Sequence, residues 1–445
     1  MNGIDFNDSL NKQQLTAVNC DEGNKLVLAG AGSGKTRVLT YRVAKLIKDF
    51  NVRPSDILAL TFTNKASREM KERIESLLRI SSQGLWFGTF HGICRRILKI
   101  HWKEAELSER FTILDSQDQL RLVKRIIKTN NLDEKLYDAK SIQSFINRKK
   151  DNGTRSNQTS EKDDEVYILV YKEYESILKQ TFSVDFADLI LKTYELLLNH
   201  ENILSYYVKR FKHIMVDEFQ DTNLLQFKLL KLLNNNTGSM YAVGDDDQSI
   251  YGWRGALSKN IKNFTDQFID VEIFKLEQNY RSTDKILKVA NSLITHNKNR
   301  LGKELWTNTS RGEQVKIFEA YNNDEESSFI VDKIKMLVRD GYKKSEIAIL
   351  YRNNFLSRRL EEELNGRGIP YIIYGGFRFF ERAEIKDMIA YLRIVVNPDD
   401  DAAFERTINN PPRGIGQKTI DIIRGFAKES NLSLWKTIKL FQDKE

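Results

Sequence analysis

The chain has few cysteines and no long apolar run. Its 445 residues include only two cysteines, Cys20 and Cys94, which argues against a disulfide framework and fits a reducing cytosol. No apolar run approaches the roughly 20 residues that a membrane-spanning helix needs. The N-terminus, MNGIDFNDSL, lacks the basic and apolar regions of a secretion signal. The sequence therefore predicts a soluble, cytoplasmic protein without a membrane partner, and it shows no internal repeat or low-complexity tract.

The composition is that of a globular protein with a basic surface. Apolar residues make up 40% of the chain, which is enough to build cores and too much for a disordered protein. The length predicts about three or four domains. A net charge of +8 favours an anionic partner, although a basic surface alone is weak evidence for one.

Strand-like runs alternate with helical patterns over much of the chain. Alternation of this kind predicts a mostly parallel α/β sheet. Between about 110 and 200 the pattern is helical and charged, with a polar loop at 152–164, which indicates a helical insertion. A second α/β pattern starts near 280, and the chain turns helical again after about 379. The predicted strands are Lys25–Ala29, 57–62, His213–Val216 and 240–243, followed by 315–318, 347–351 and 371–374.

This pattern predicts four segments. Residues 1–109 and 200–279 form a first, nucleotide-binding lobe, and 110–199 form its helical insertion. Residues 280–377 form part of a second lobe, and 378–445 begin a second helical insertion.

A glycine-rich loop, AGAGSGKT, lies directly between a predicted strand and a predicted helix. Glycines let backbone amides curl around phosphates, and the positive end of a helix dipole favours them. Lys35 is then placed to reach the β- and γ-phosphates, and the Thr36 hydroxyl to ligate Mg²⁺. The alternative is a glycine turn before an ordinary helix. The predicted phosphate-loop residues are Ala29, Gly30, Ala31, Gly32, Ser33, Gly34, Lys35 and Thr36.

An acidic pair, Asp217 and Glu218, ends the third strand-like run. Ligands bind at the carboxyl ends of parallel strands, so we expect the pair beside the phosphate loop. Asp217 is predicted to hold Mg²⁺, and Glu218 to orient and deprotonate the attacking water. The alternative is a pair of acids that stabilises a helix start.

The loop after the fourth run, GDDDQSIYGWRGA at 244–256, combines carboxylates with an amide, two aromatic rings and an arginine. Amides suit phosphate sensing and exposed rings suit base stacking. We expect Gln248 to contact the γ-phosphate or the attacking water, and Tyr251 and Trp253 to contact bases. The alternative is a polar turn with a core tryptophan.

Arg281, in the segment LEQNYRST at 276–283, is a candidate for neutralising charge as the γ-phosphate leaves. It lies at the start of the second predicted lobe, from which it could reach a nucleotide held by the first. The alternative, a surface salt bridge, is equally compatible with the sequence.

Together these motifs resemble the UvrD/Rep/PcrA group of superfamily-1 DNA helicases, over almost the whole chain. The resemblance implies two RecA-like parallel-sheet lobes, each with a helical insertion. It implies ATP and Mg²⁺ as cofactors, 3′→5′ translocation on single-stranded DNA, and unwinding at single-strand/duplex junctions in repair and replication. It admits repair proteins as partners. It also implies that Gln14 reads the adenine and that Arg37 and Tyr280 flank it.

The same resemblance implies a set of DNA contacts. For Phe62 and His91 a place in the core is an open alternative. For Gly414 and Gly416 the alternative is a tight turn between helices. Ala187 stands where the family usually has an acid. The implied DNA-binding residues are Thr61, Phe62, Asn64, Thr89, His91, Phe186, Tyr251, Trp253, Gly414 and Gly416.

Family members continue well beyond the point that matches Glu445. The resemblance therefore implies a chain whose second lobe lacks its closing strands, and we expect nucleotide binding without processive unwinding. Three other classes stay open: a non-catalytic DNA-binding form, the motor part of a helicase–nuclease, and a phosphate-loop signalling ATPase that does not bind DNA.

Overall fold

The computed structural model describes residues 9–79, 84–160, 162–235, 238–252, 255, 260–297, 300–310, 312–374, 382–430 and 432–442. They divide into two compact units. The first is drawn from residues 1–313, 399–402 and 421–445, and the second from 314–398 and 403–420. The predicted start of the second lobe, residue 280, thus lies within the first unit.

A six-stranded parallel sheet forms the centre of the first unit, which confirms the predicted α/β class. The strand order is β3–β2–β6–β7–β1–β8, and every neighbouring pair is parallel. A separate two-stranded parallel ladder joins β4 to β5. The strands are β1 Lys25–Ala29, β2 Ile57–Thr61, β3 Trp86–Thr89, β4 Thr112–Ile113, β5 Ser183–Val184, β6 His213–Val216, β7 Ser239–Gly244 and β8 Glu272–Leu276.

The four central strands, β2, β6, β7 and β1, are the four that the apolar runs predict. They are buried almost throughout because helices cover both faces of the sheet. The apolar runs of the sequence do not predict the edge strands β3 and β8. An edge strand has one neighbour and more contact with water, and β8 is mostly exposed, so neither carries an unbroken apolar run.

Two cores lie on opposite faces of the sheet, since successive side chains of a strand point to opposite sides. Along β1, Leu26 and Leu28 belong to one core, and Val27 and Ala29 to the other. The helices of this part are Lys12–Asn19, Lys35–Lys48, Asn64–Leu78, Phe90–Ile100, Glu201–Arg210, Leu224–Asn234, Asn260–Gln267 and Asp284–Ile294.

The predicted helical insertion is helical in the structure. Its helices are Ser116–Thr129, Ala139–Asp151, Glu165–Gln180 and Phe186–Asn199, the first three packed around a core of their own. The described residues of the polar stretch at 152–164, which the sequence predicts to be an exposed loop, contain no α-helix, and Ser156–Gln158 form one turn of 3-10 helix. However, Arg155 within it is largely buried and pairs with Glu175, Asp188 and Glu195, so the stretch is anchored to the insertion.

The second unit differs from the prediction. Its described residues between 314 and 374 form no strand, although the sequence predicts three there. Ile347 and Ile349 pack on a small core of Val331, Ile334 and Leu364, and Leu350 is exposed. Burial thus alternates along 347–350, as it does in a strand with one covered face. A strand also needs a hydrogen-bonded neighbour, which an apolar run alone does not supply.

The remaining helices complete the described chain. None of the described helices has the length and apolarity that crossing a membrane requires. Their bounds are Asn323–Arg339, Ser357–Gly366, Ala383–Val396, Asp401–Thr407, Gln417–Ser430 and Leu434–Gln442.

Candidate nucleotide and nucleic-acid site

The predicted motifs meet at the carboxyl ends of the strands in the sheet of the first unit. Strands β6, β7, β1 and β8 are consecutive neighbours and parallel, so the loops that follow them leave from the same edge. These loops carry the acidic pair, the loop at 244–256, here named the third motif, the phosphate loop and the segment around Arg281. Strands β2 and β3, on the other side of β6, carry the predicted DNA contacts Thr61 and Thr89.

The phosphate loop has the backbone that its glycines predict. Gly32 and Gly34 have φ values of 68° and 92°, in the left-handed region that favours glycine. Helix Lys35–Lys48 has no side-chain cap at its start, so its first amides are available to an anion. Gln14 is buried beside the loop and donates from Nε2 to Ser33 O at 2.8 Å, which places the predicted adenine contact against it.

Lys35 brings three motifs together. Its Nζ lies 2.7 Å from Glu218 Oε2 and 3.1 Å from Gln248 Oε1, and its side chain is only 10% exposed. The phosphate loop, the acidic pair and the third motif therefore meet at a single ammonium group.

Two further side chains close these contacts into a ring. Gln220 donates from Nε2 to Glu218 Oε2 at 2.7 Å and accepts from Asp245 N at 2.9 Å. Asp245 Oδ2 accepts from Gln248 Nε2 at 2.6 Å. Because each member bonds the next, the position of Gln248 depends on that of Glu218. Glu218 itself has a φ of 50°, a backbone conformation that costs a non-glycine residue free energy.

Asp217 has the properties of a metal ligand. It is 3% exposed, and its Oδ1 has no hydrogen-bond partner among the described residues. Burial, together with the charge of Glu218, raises its pKa to about 7 against the opposing effect of Lys35. A buried, unpaired carboxylate oxygen suits a hard divalent cation, and Thr36, the residue after Lys35, supplies the hydroxyl. Both residues thus fit the predicted Mg²⁺ site.

The segment around Arg281 lies against the phosphate loop. Asn279 is buried and donates from Nδ2 to Ala31 O at 2.6 Å, while its Oδ1 accepts from Arg281 N at 2.8 Å. Tyr280 N donates to Gly32 O at 2.9 Å. The Arg281 side chain is exposed, and its Cβ is close enough to Gly32 that an added methyl group there would lie 2.8 Å away.

The predicted adenine neighbours are exposed at this edge. Tyr280 is 55% exposed, and its hydroxyl accepts from Asn11 Nδ2 at 2.6 Å. Arg37 is also exposed, with its guanidinium 5.7 Å from the ring centre of Tyr41.

Thr61 and Thr89 are register partners at the ends of β2 and β3. Thr61 is buried and donates to Thr63 O at 3.1 Å, which leaves it less available to DNA than predicted. Thr89 caps helix Phe90–Ile100 by accepting from Gly92 N. Asn64 is exposed at the first residue of its helix, and Phe62 is partly buried against the core, as the alternative for this residue anticipated.

Phe186 and His91 are brought together from distant parts of the chain. Their ring centres are 5.9 Å apart in an edge arrangement, and Phe186 is 52% exposed. Burial lowers the pKa of His91, which favours its neutral ring at pH 7. Next to Phe186, Asp185 caps the helix and pairs with the buried Lys150 at 2.7 Å. The exposed phenyl ring of Phe186 is therefore attached to a well-anchored helix start.

The remaining predicted DNA residues are less defined. Tyr251 is half-buried after the third motif, and Trp253 lies outside the described residues. In the second unit, Gly414 and Gly416 are exposed. Gly414 has a φ of 73°, a left-handed conformation that favours glycine and is common in tight turns.

Four polar residues at these strand ends were not predicted from the sequence as site residues: Gln220, Asp245, Asn279 and Lys303. The first three lie inside the motifs, so their position was a usable signal. Lys303 had no such signal, because it pairs with Asp246 from 57 residues away along the chain.

Comparison with known proteins agrees with this geometry. The family model for the UvrD/REP helicase N-terminal domain matches residues 10–269, and that for the UvrD-like helicase C-terminal domain matches residues 274–444.

Whole-chain relatives are similar along nearly all of this chain. It is 49% identical over 441 residues to DNA helicase II of Escherichia coli K12, which covers 98% of this chain and 61% of that protein. It is 45% identical over 447 residues to a probable DNA helicase II homolog of Rickettsia conorii, covering 99% and 68%. It is 42% identical over 434 residues to ATP-dependent DNA helicase PcrA of Staphylococcus epidermidis, covering 97% and 60%.

The chain thus spans about three fifths of the length of the curated relatives from E. coli and S. epidermidis. The N-terminal family model alone matches more than half of it. The site geometry and both family models agree, and the protein belongs to the UvrD/REP helicase family.

Proposed function

We propose that this protein is an ATP-dependent DNA helicase that moves 3′→5′ along single-stranded DNA and acts in DNA repair and replication. The observation that carries the proposal is the meeting of Lys35 with Glu218 and Gln248. The relatives named DNA helicase II and ATP-dependent DNA helicase PcrA support it.

The residues of the sheet edge suit ATP hydrolysis. Backbone amides after Gly34 would hold the phosphates, and Thr36 and Asp217 would hold Mg²⁺, which supplies charge neutralisation. Lys35 would exchange its two side-chain partners for phosphate oxygens, and this leaves Glu218 free to accept a proton from water. Arg281 would approach the same phosphates.

The exposed ring of Phe186 beside His91 suits single-stranded DNA, because stacking tolerates any base. Thr89 and Asn64 offer polar groups for phosphates, which position a strand without reading its sequence. We propose single-stranded DNA and single-strand/duplex junctions as the nucleic-acid partners.

The function is tested by ATP hydrolysis with and without single-stranded oligothymidylate. We expect DNA to raise the turnover number by at least about tenfold, since substrate-induced closure completes such sites. Direction is read from displacement of streptavidin from a biotin at the 5′ end against one at the 3′ end. Hydrolysis that ignores DNA would point to the signalling class, and DNA binding without any hydrolysis to the non-catalytic class.

Phe186→Ala is expected to weaken binding of single-stranded oligothymidylate by about 5- to 150-fold, which corresponds to one lost stacking contact of about 1–3 kcal/mol. Fluorescence anisotropy measures the dissociation constant. Phe50→Ala is the matched control, because Phe50 is 42% exposed and follows the far end of helix Lys35–Lys48. Equal affinities for the two variants would remove Phe186 from the DNA site.

A further inference from the structure

Residues 300–306 of the first unit, here named the strap, touch three of the nucleotide motifs. At one end Arg300 forms a two-point contact with Asp247, at 2.7 Å from Nε and 2.9 Å from Nη2. At the other end Trp306 N donates to Glu277 O at 3.1 Å, and Trp306 O accepts from Asn279 N at 2.7 Å. The strap therefore joins the third motif to the segment that contains Arg281.

Between its ends the strap packs on the phosphate loop. A methyl group added to Gly30 would lie 2.1 Å from Leu305 Cδ2, so no space separates the two residues. Leu305 O accepts from Asn291 Nδ2 at 2.8 Å, which ties the strap to helix Asp284–Ile294. A shift of the strap would thus be transmitted to the phosphate loop.

Lys303 holds the acidic part of the third motif. Its Nζ lies 2.6 Å from Asp245 Oδ1 and 2.9 Å from Asp247 Oδ2, and it also bonds Asp246 Oδ1. Its side chain is 3% exposed. Burial alone would lower the pKa of Lys303, but the three carboxylates outweigh burial and raise it. Loss of the ammonium would leave neighbouring buried carboxylates uncompensated, which is strongly unfavourable.

The position of Asp245 in turn sets the two glutamines of the ring. Its Oδ2 accepts from Gln248 Nε2 at 2.6 Å, and its backbone NH donates to Gln220 at 2.9 Å. Gln248 contacts Lys35, and Gln220 contacts Glu218. Lys303 is therefore two contacts away from Gln248, which is expected to meet the γ-phosphate, and three contacts away from Lys35 and Glu218.

We propose that Lys303 is a positioning residue that couples nucleotide binding to DNA binding through the third motif and the strap. The inference rests on the proposed function, because it states how that site is connected to DNA. Lys303 touches no reacting atom. It fixes the positions of Asp245–Asp247. A displacement of the Lys35 side chain then moves the loop that precedes Tyr251, because the hydrogen-bonded ring cannot rearrange to compensate for it.

The coupling is measured without turnover. Anisotropy gives the dissociation constant of a labelled oligothymidylate of about 12 nucleotides, within the range that such DNA sites cover, with and without a non-hydrolysable ATP analogue and Mg²⁺. In the wild type we expect the analogue to change this constant by about fivefold or more, the usual lower bound for coupled sites. Lys303→Met is expected to bring the factor close to one. The reciprocal effect of DNA on analogue binding must show the same factor.

Three further variants separate positioning from mere stability. Lys25→Met removes another buried lysine, which pairs with Glu272 at 2.8 Å at the amino ends of β1 and β8. This variant should keep the wild-type coupling factor. Arg300→Gln, at a side chain that is 19% exposed, should reduce the factor partly. Arg300→Gln gives a second test of the coupling if thermal unfolding measurements show that Lys303→Met does not fold. Adding Asp246→Asn to Lys303→Met removes one uncompensated charge and should restore part of the coupling.

Two results would overturn the inference: no coupling in the wild type, or wild-type coupling in folded Lys303→Met, with Arg300→Gln read in its place if Lys303→Met is unfolded. The proposed function is judged separately, by DNA-stimulated hydrolysis in the wild type. Stimulated hydrolysis with unaltered coupling in these variants rejects the role of Lys303 alone, whereas absence of hydrolysis rejects the function.

Discussion

Glu218→Gln should lower the turnover number for ATP hydrolysis by about a hundredfold to ten-thousandfold, the contribution of a positioned general base. Glutamine keeps the volume of the side chain but cannot accept a proton as a carboxylate does. Glu218 Oε2 accepts hydrogen bonds from Lys35 and Gln220, both at 2.7 Å, and an amide oxygen in its place can still accept both. Nucleotide binding should therefore persist. Phosphate release with single-stranded DNA gives the turnover number, and a fluorescent ATP analogue gives the affinity.

The matched control is Glu272→Gln. Glu272 also pairs with a lysine, Lys25, at 2.8 Å, but at the start of β1 rather than at its end. This variant should hydrolyse ATP at the wild-type rate. Wild-type turnover in Glu218→Gln itself would show that another group activates the water.

Lys35→Ala should reduce hydrolysis by about a hundredfold to a thousandfold, the effect of losing a donor that stabilises charge in the transition state. The dissociation constant for ATP should rise as well, because the lysine would contact phosphates in both the ground state and the transition state. The substitution also leaves Glu218 without its cation. The hydrogen-bonded ring then loses the residue that joins Glu218 to Gln248. Turnover and affinity are measured on the same preparation.

Lys45→Ala is its control on the same helix. Lys45 pairs with Asp49 at 2.9 Å in the last turn, far from the phosphate loop at the first turn. Unfolding temperatures of the two variants show whether either loss reflects instability. Undiminished hydrolysis in Lys35→Ala would reject the assignment of the phosphate loop.

The central sheet was predictable because its signal is local. Each of β1, β2, β6 and β7 is buried on both faces, so each reads as an apolar run between polar loops. The edge strands β3 and β8 do not share that environment and escaped prediction. The three strands predicted between 315 and 374 rest on apolar runs alone. The described structure gives them no paired neighbour, and Val315, Ile317 and Phe318 are exposed.

The position of the candidate nucleotide residues at the strand ends was predictable for a related reason. The phosphate loop and the acidic pair combine a short motif with a position at the end of a strand, and both are visible in the sequence. The contact between His91 and Phe186 depends on the insertion packing beside β3, so spacing could not predict it. The family resemblance suggested each residue, and the fold placed them together.

The sequence by itself determined which strand ends carry phosphate, acid and amide chemistry, because those groups lie within a few residues of each apolar run. Only the tertiary structure decided how they are connected. The parallel order β6–β7–β1–β8 places Lys35 against Glu218 and Gln248, and the return of the chain at 300–306 places Lys303 among three carboxylates. Such contacts depend on burial and charge between segments far apart in the chain, and neither motif nor periodicity encodes those distances.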